Sequence, residues 1–319
     1  MKTKCVLLAI CLCLAVGLLQ AQNIGIATGP AGSSYHSLGT ALAKVANDKV
    51  GIKAVVQPFS SSNVFIPAIN SGDQQFGLGN IYETTLAYEG KEYFTGRPNR
   101  ELRIVAITVP QRNAIFVKKD SPIRTVADLK GRRGTDGYSS QKILIPIVDG
   151  YYATAGFTRA DMKPVNVPTV VAGADAFAAG KSDMFVFVLG AAKVTEVDAS
   201  VSGGIRALSV DNTPQNLAAI RKHFPVAYLK LENPGPDNIG VVQPTYCFTY
   251  DGVLMTSSKT PDDVVYRMTK ALYENKSELV ATYPLYKEFE PKDMAKQTLV
   301  PYHPGAIKFY QEKGMWPPK

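Results

Sequence analysis

IATGPAGSSYHSLG, residues 26–39, decides how the rest of the chain is read. It prolongs an apolar run, Ile24 to Ala27, and breaks it at Gly29, Pro30 and Gly32. Ser33, Ser34, Tyr35 and His36 follow, and Leu38, Leu42, Val45 and Ala46 then recur at helical spacing. A strand, a glycine-rich turn and a helix start, in that order, aim backbone N–H groups and the positive end of a helix dipole at one spot. Such a spot favours an anion. Small residues let a ligand approach the backbone, and the serine hydroxyls add donors. A serine ahead of a helix is also the ordinary N-cap, which needs no ligand.

The same pattern recurs along the chain. Ile52 to Val56 reads as a strand that ends in Phe59, Ser60, Ser61, Ser62 and Asn63, and Val64 to Ile69 reads as helix. Phe76 to Asn80 is a short strand, followed by helical Tyr82 to Tyr88. Leu102 to Val109 and Ala114 to Val117 are apolar runs separated by Pro110, Gln111, Arg112 and Asn113. A short capped helix is expected from Ser121 to Gly131. Gly134 to Ser140 leads into helical Ile143 to Tyr152, and Ala172 to Ala179 is again helical. Met184 to Leu189, Ile205 to Val210 and Tyr246 to Thr256 read as strands. Thr260 and Pro261 open a late helix as N-cap and first residue. The tail is helical around Ile307 to Glu312.

Alternating strands and helices argue for an α/β fold whose sheets are covered on both faces. Ligands in such sheets bind beyond the carboxyl ends of the strands. That selects the exits Gly29 to Tyr35, Phe59 to Asn63, Asn80 to Tyr82 and Gly134 to Ser140, with Gly190 as a fifth. Serine-bearing helix starts at Ser33-Ser34 and Ser139-Ser140 are consistent with one per domain, facing each other across a cleft.

Composition narrows the class. The 319 residues suffice for two domains, and 45% are hydrophobic, enough for a packed core. The net charge of +8 is scattered. Its densest cluster, Lys130, Arg132 and Arg133, has no run of partners, so nucleic acid is not an expected ligand. Lys2 and Lys4, the apolar run Cys5 to Leu19 and a small residue at Ala21 describe a signal peptide cleaved after Ala21. An uncleaved anchor is the alternative, although the run is short for a bilayer. Cys5, Cys11 and Cys13 lie in that segment, and only Cys247 remains beyond it. The chain is thus expected in the periplasm, without an internal disulfide or a cysteine metal site.

The opening stretch fails the catalytic and nucleotide fingerprints. Gly29-Pro30-Ala31-Gly32 does not have G-x-G-x-x-G spacing, and no Walker lysine follows. G-x-S-x-G is missing, so a secreted serine hydrolase using Ser33 or Ser34 would need His36 to be completed by a distant acid. His36, His223 and His303 are far apart, with no carboxylate at ligand spacing. Binding without reaction survives, with no metal and no cofactor expected. Arg112 lies between two apolar runs where the chain is expected to cross between domains; it reads either as a bidentate grip on a carboxylate or as a hinge-surface charge. Tyr82, Tyr138 and Phe187 read either as pocket walls or as core.

Two groups of residues carry a family resemblance. Ile26-Ala27-Thr28-Gly29 with Gly32-Ser33-Ser34-Tyr35, and the closing Tyr302-His303-Pro304-Gly305-Ala306-Ile307-Lys308-Phe309-Tyr310, resemble the TAXI family of extracytoplasmic solute receptors for TRAP-type transporters. Ser60 to Asn63, Thr125 to Gly131, Phe185 to Gly190 and Gly203 to Arg206 continue it in family order. The resemblance implies a two-lobed type II periplasmic-binding-protein fold with a hinge, each lobe a mixed, mostly parallel sheet flanked by helices. The lobes would be residues 22–110 plus 251–319, and 111–250. It also implies capture of a small organic anion, such as glutamate or 2-oxoglutarate, and its delivery to a TRAP-type permease. A receptor feeding a sensor instead of a permease is the other reading. Contacts implied by position are Gly32 to Tyr35, Ser60 to Asn63, Asn80, and Tyr138 to Ser140. Arg132 to Gly137 departs from the family, which usually has an apolar strand there.

Overall fold

The computed structural model describes residues 23–318. The export segment expected at residues 1–21 lies outside the described residues. The chain forms two five-stranded sheets, each with its own apolar core. The first sheet contains β1 (Ile24–Thr28), β2 (Ala54–Pro58), β3 (Phe76–Asn80) and β4 (Leu102–Ile107). The second is built on β5 (Gln111–Lys118). Beside it stand β6 (Arg133–Gly137) and β7 (Lys163–Val167), a parallel pair. Strands β8 (Phe185–Val188), β9 (Ile205–Leu208), β10 (Tyr228–Glu232) and β11 (Thr245–Tyr250) complete the second sheet. Finally β12 (Gly252–Ser257) returns to the first sheet.

The orders are β2-β1-β3-β12-β4 and β10-β11-β5-β8, with β9 also on β5. Strand β1 is parallel to β2 and β3, whereas β12 runs antiparallel to β3 and β4. Strand β5 is antiparallel to each of its three partners. The chain therefore passes from one sheet to the other between Ile107 and Gln111 and again at Asp251. This two-lobed α/β arrangement places two crossing segments side by side, as a hinge requires.

The helices follow the apolar periodicity. They are α1 (Ser34–Val50), α2 (Ser62–Ser71), α3 (Ile81–Glu89), α4 (Leu144–Ala153) and α5 (Val170–Ala178). Then come α6 (Ala192–Ser200), α7 (Pro214–His223), α8 (Asp262–Glu274), α9 (Lys276–Thr282) and α10 (Pro304–Glu312). Helix α1 buries Leu38, Leu42, Val45 and Ala46 and stops at Gly51, whose φ of +66° is left-handed and suits glycine. Helices α8 and α10 pack in the core of the first sheet, through Val265, Met268, Leu272, Phe309 and Tyr310. Among the described residues no helix is long and apolar enough to cross a membrane.

The structure corrects several local expectations. Tyr246 to Thr256 is not one strand: Asp251 divides it into β11 and β12, in different sheets. Gln111, Arg112 and Asn113 are not a separator but the first residues of β5, because partners in β8 and β11 absorb their backbone groups. The helix expected near Ser121 to Gly131 is one 3₁₀ turn, Ala127–Leu129, and Asp128 accepts the N–H groups of Arg124 and Thr125 just ahead of it. Thr260 does not cap α8; its hydroxyl bonds that of Thr256, and Pro261 holds the cap position.

Candidate functional site

Five helix starts meet at one cavity between the sheets. Its volume is about 40 Å³, room for no more than a few waters. The first residue or cap of α1, α2, α3, α4 and α5 (Ser34, Ser62, Asn80, Leu144 and Val170) lines it. The first N–H groups of a helix have no partner inside the helix, and the dipole there is positive. Three starts belong to the first sheet's side and two to the second's. The second sheet adds Gln111 and Asn113 from β5, Phe187 and Val188 from β8, and Tyr250 from β11.

Each start is held differently. Ser33 caps α1, its Oγ accepting the His36 N–H at 3.3 Å. Ser61 occupies the cap position of α2 without making a cap bond. Its Oγ lies 2.6 Å from the Ser140 carbonyl and 2.7 Å from Asn63 Oδ1, so one hydroxyl ties the two sides together. Asn80 caps α3 by accepting the Glu83 N–H at 2.7 Å. Gln141 Oε1 accepts the Val170 N–H at the head of α5, 2.9 Å away.

Strand geometry decides what β5 contributes. Alternate side chains leave opposite faces of a strand. Gln111 and Asn113 therefore share the cavity face, and Arg112 leaves on the other. The Ser34 hydroxyl donates to Gln111 Oε1 at 2.7 Å, a second tie between the sheets.

The lining carries no cationic side chain among the described residues. Its donors are hydroxyls, amides and helix N–H groups. The Tyr35 hydroxyl is buried and has no partner among the described residues. Burial, reinforced by Tyr250, Glu83 and Asp251, holds its pKa well above the usual phenol value, so it remains a donor. Directly behind Ser62 and Asn80 sits Glu83, fully buried. It accepts from the Ser62 hydroxyl, from Tyr93 Oη at 2.6 Å and from Asn80 Nδ2 at 3.2 Å. Burial raises the Glu83 pKa, and those three bonds only partly oppose it.

A folded-state pKa above the unfolded value means the native state binds the extra proton. Glu83 thus costs stability as pH rises from the ordinary carboxylate range through its folded pKa. E83Q is expected to match the native melting temperature near pH 4 and to exceed it progressively toward pH 8. Thermal unfolding of both proteins across that range checks it. Parallel curves would mean that Glu83 titrates normally.

The structure brings Ser33, Ser34, Tyr35, Ser61, Ser62, Asn80 and Phe187 to the cavity. The other expected residues stand outside its lining. Gly32 turns the chain at φ +85° beside Lys193. Ser60 precedes the α2 cap, and Asn63 lines a different pocket, with Tyr93 and Lys142. Tyr82 packs on Phe224, ring centroids 4.3 Å apart. Tyr138 is core: its hydroxyl is 2.7 Å from Thr135 Oγ1. Ser139 is exposed, and Ser140 contributes only its carbonyl. No helix starts at these serines, because α4 begins at Leu144. The departure at Arg132 to Gly137 does not abolish the strand; β6 forms there, burying Gly134 and Thr135.

Arg112 is neither a grip in this cavity nor a surface charge. It is 2% exposed, on the opposite face of β5, with Nη1 2.7 Å from Glu232 and 3.3 Å from Glu288. It borders a larger cavity of about 530 Å³, walled by residues 231–239, 283–285, 287 and 288. Size alone does not make that the principal site; the helix starts and strand exits converge on the smaller one.

Gln111, Asn113, Gln141, Val170 and Tyr250 were not legible as site residues. The period-two signal of Gln111 and Asn113 existed, but Pro110 and Arg112 disguised it as a loop.

The serines are not paired for nucleophilic attack. Ser33 accepts from a backbone N–H and Ser34 donates to an amide, while His36 Nδ1 lies 3.4 Å from Thr28 Oγ1. His303 is buried, and its Nδ1 accepts the Gly305 N–H at the head of α10. No group of three His, Cys, Asp or Glu side chains suits a metal among the described residues, and Cys247 is a buried thiol.

The NMT1-like family matches residues 26–314. Among solved structures, the chain is similar to the alkanesulfonate-binding protein SsuA from Xanthomonas axonopodis pv. citri bound to MOPS. That match has 16% identity and a TM-score of 0.50, covering 91% of this chain and 90% of the other. A structure described as a periplasmic transporter matches at 14% identity and TM-score 0.53, over 82% and 85% of the two chains. The ligand-binding component of an ABC-type import system from Staphylococcus aureus, with zinc bound, matches at 12% identity and TM-score 0.50, over 93% and 94%. At these identities the likeness establishes the two-lobed periplasmic-binding-protein fold of type II.

Proposed function

Because this chain belongs to the NMT1-like family, we propose that it is a periplasmic solute receptor, exported by a signal peptide cleaved after Ala21, that closes on a small organic anion without transforming it. The observation that carries this is the convergence of five helix starts, from both sheets, on one cavity. Helix N-termini favour negative charge with no need of a fixed cation. The lobes are residues 22–110 plus 251–319, and 111–250, hinged at the two crossings.

The ligand class is a carboxylate such as glutamate or 2-oxoglutarate, in keeping with the TAXI resemblance, and the receptor serves a TRAP-type permease. Either ligand needs far more room than about 40 Å³, so loading requires the lobes to part. The ties Ser61 to Ser140 and Ser34 to Gln111 are what parting breaks. SsuA, described as alkanesulfonate-binding, makes sulfonates the natural competitors in a screen.

A thermal-shift screen of amino acids, oxo acids, dicarboxylates and alkanesulfonates tests the reading, since a ligand that binds only the folded state raises the melting temperature by mass action. A carboxylate is expected to give the largest shift; no shift from any anion would end the anion reading. S61A is expected to weaken the best ligand about 3- to 10-fold, the value of one neutral hydrogen bond. Titration calorimetry reads it, and unchanged affinity would remove Ser61 from the closure.

A further inference from the structure

We propose that the groove beside Tyr93 is an anion seat shared by the two lobes, suited to a small doubly charged oxyanion of the phosphate or sulfate type. The groove has a volume of about 220 Å³, and Asn63, Pro67, Tyr93, Phe94, Arg97 and Lys142 are among its walls. Asn63 and Pro67 stand on α2, and Tyr93, Phe94 and Arg97 follow α3, so these belong to the first lobe. Lys142 comes from the second lobe, two residues ahead of α4. Arg97 Nη2 donates to the Tyr93 carbonyl at 3.3 Å, and Lys142 Nζ stands 5.8 Å from the centre of the Tyr93 ring. The two cations thus flank one residue. Both are exposed, so a dissolved ion reaches them. Neither forms an ion pair among the described residues.

The lining carries two cations and no carboxylate. Glu92 precedes Tyr93 but is outside the lining, and Glu83, which accepts from the Tyr93 hydroxyl at 2.6 Å, is buried behind the ring. The frame is fixed: Asn99 Nδ2 donates to the Arg97 carbonyl at 2.9 Å and to the Ala87 carbonyl at 3.2 Å, which pins the loop that carries Arg97. Like charges brought to one groove from opposite lobes repel each other, and a dianion between them replaces that repulsion by two attractions. Occupancy and closure therefore favour each other, by the reciprocity of coupled equilibria. That coupling rests on the closing motion proposed above; binding at the seat does not. The guanidinium fork takes two oxygens of a tetrahedral anion and the ammonium takes a third, a spread of acceptors that chloride lacks. The volume leaves room for such an ion together with a few waters.

The test follows the backbone amide peaks of Asn63 and Lys142 in ¹⁵N-labelled protein while sodium phosphate, sodium sulfate or sodium chloride is added at equal ionic strength and pH 8. Phosphate and sulfate are expected to move both peaks to saturation with one shared midpoint, because one ion touches both lobes; chloride is not. R97Q and K142Q each remove one charge-assisted contact, and each is expected to raise that midpoint about tenfold. K130Q, in the separate basic cluster, is expected to leave it unchanged. Both test positions are exposed, and circular dichroism confirms that the variants are folded. A response to phosphate and sulfate no larger than that to chloride would overturn the seat, and so would movement of only one of the two peaks. A midpoint that stays native in R97Q and K142Q would place the ion elsewhere, the strand-exit cavity included, and would overturn the seat without touching the reading of that cavity. A failed carboxylate screen, in turn, leaves this result as it stands.

Discussion

Replacing Gly305 with valine is expected to lower the melting temperature by about 5–10 °C, corresponding to a loss of about 3 kcal/mol or more. The reason is a backbone collision. A Cβ at position 305 would stand 2.3 Å from the Asp262 carbonyl oxygen, 3.0 Å from its carbon and 3.1 Å from its Cα. No rotamer change relieves contacts with main chain, so α10 would have to lift from the first turn of α8. That helix carries Phe309 and Tyr310 into the first lobe's core, where the Tyr310 hydroxyl donates to the Val105 carbonyl at 2.6 Å. It also receives its cap from His303, whose Nδ1 takes the Gly305 N–H at 3.1 Å. Burial lowers the His303 pKa and keeps that acceptor unprotonated near neutrality. The effect is steric and not conformational, since Gly305 is absent from the positive-φ glycines. Gly314 supplies the control: its φ is +67° and nothing lies within 4 Å of where its Cβ would stand, so G314A tests backbone strain alone. Thermal unfolding of G305V, G305A and G314A separates the two mechanisms. A native melting temperature for G305V would mean that the helices can part without cost.

Much of this architecture was legible because it is written in local periodicity. The run Ile24 to Ala27, the break at Gly29 to Gly32 and the recurrence Leu38, Leu42, Val45 are short-range signals, and β1, the turn and α1 form where they point. The exits Phe59 to Asn63 and Asn80 to Tyr82 carry the same signal, although α2 and α3 start at Ser62 and Ile81, one to two residues before the expected Val64 and Tyr82. The second lobe was harder. Its side of the cavity is built by β5, β8 and β11, which meet only through antiparallel pairing between residues distant in sequence, such as Asn113 with Val188 and with Phe248. No local pattern announces that register. Ser139 and Ser140 resembled a helix start, yet Gly137 and Tyr138 take positive φ values of 81° and 37° and carry the chain through a turn before α4 begins. Arg112 illustrates the same limit. Its charge was visible in the sequence, but the face it leaves by depends on β5 being a strand from Gln111 onward, and its partners Glu232 and Glu288 lie 120 and 176 residues away.

That ion cluster yields the other large effect. R112M is expected to destabilise the protein by about 3 kcal/mol, because it strips a partner from a buried carboxylate. Glu232 is 5% exposed at its side chain and accepts from Arg112 at 2.7 Å, leaving only Lys230, at 2.8 Å, as a charged partner in the variant. Much of the loss is thus the cost of stranding Glu232, not the worth of the pair. The double variant R112M/E232L removes both charges and should recover at least half of the lost stability, as replacing a buried pair by apolar groups often does. Glu288 needs no such rescue: it is more exposed and keeps Lys230 at 2.5 Å. Denaturant unfolding of the native protein, both singles and the double closes the cycle. If the double variant is no more stable than R112M, the cost lies in the lost packing of the Arg112 stem and the tie between β5 and the turn 283–288, and Glu232 is satisfied without its arginine.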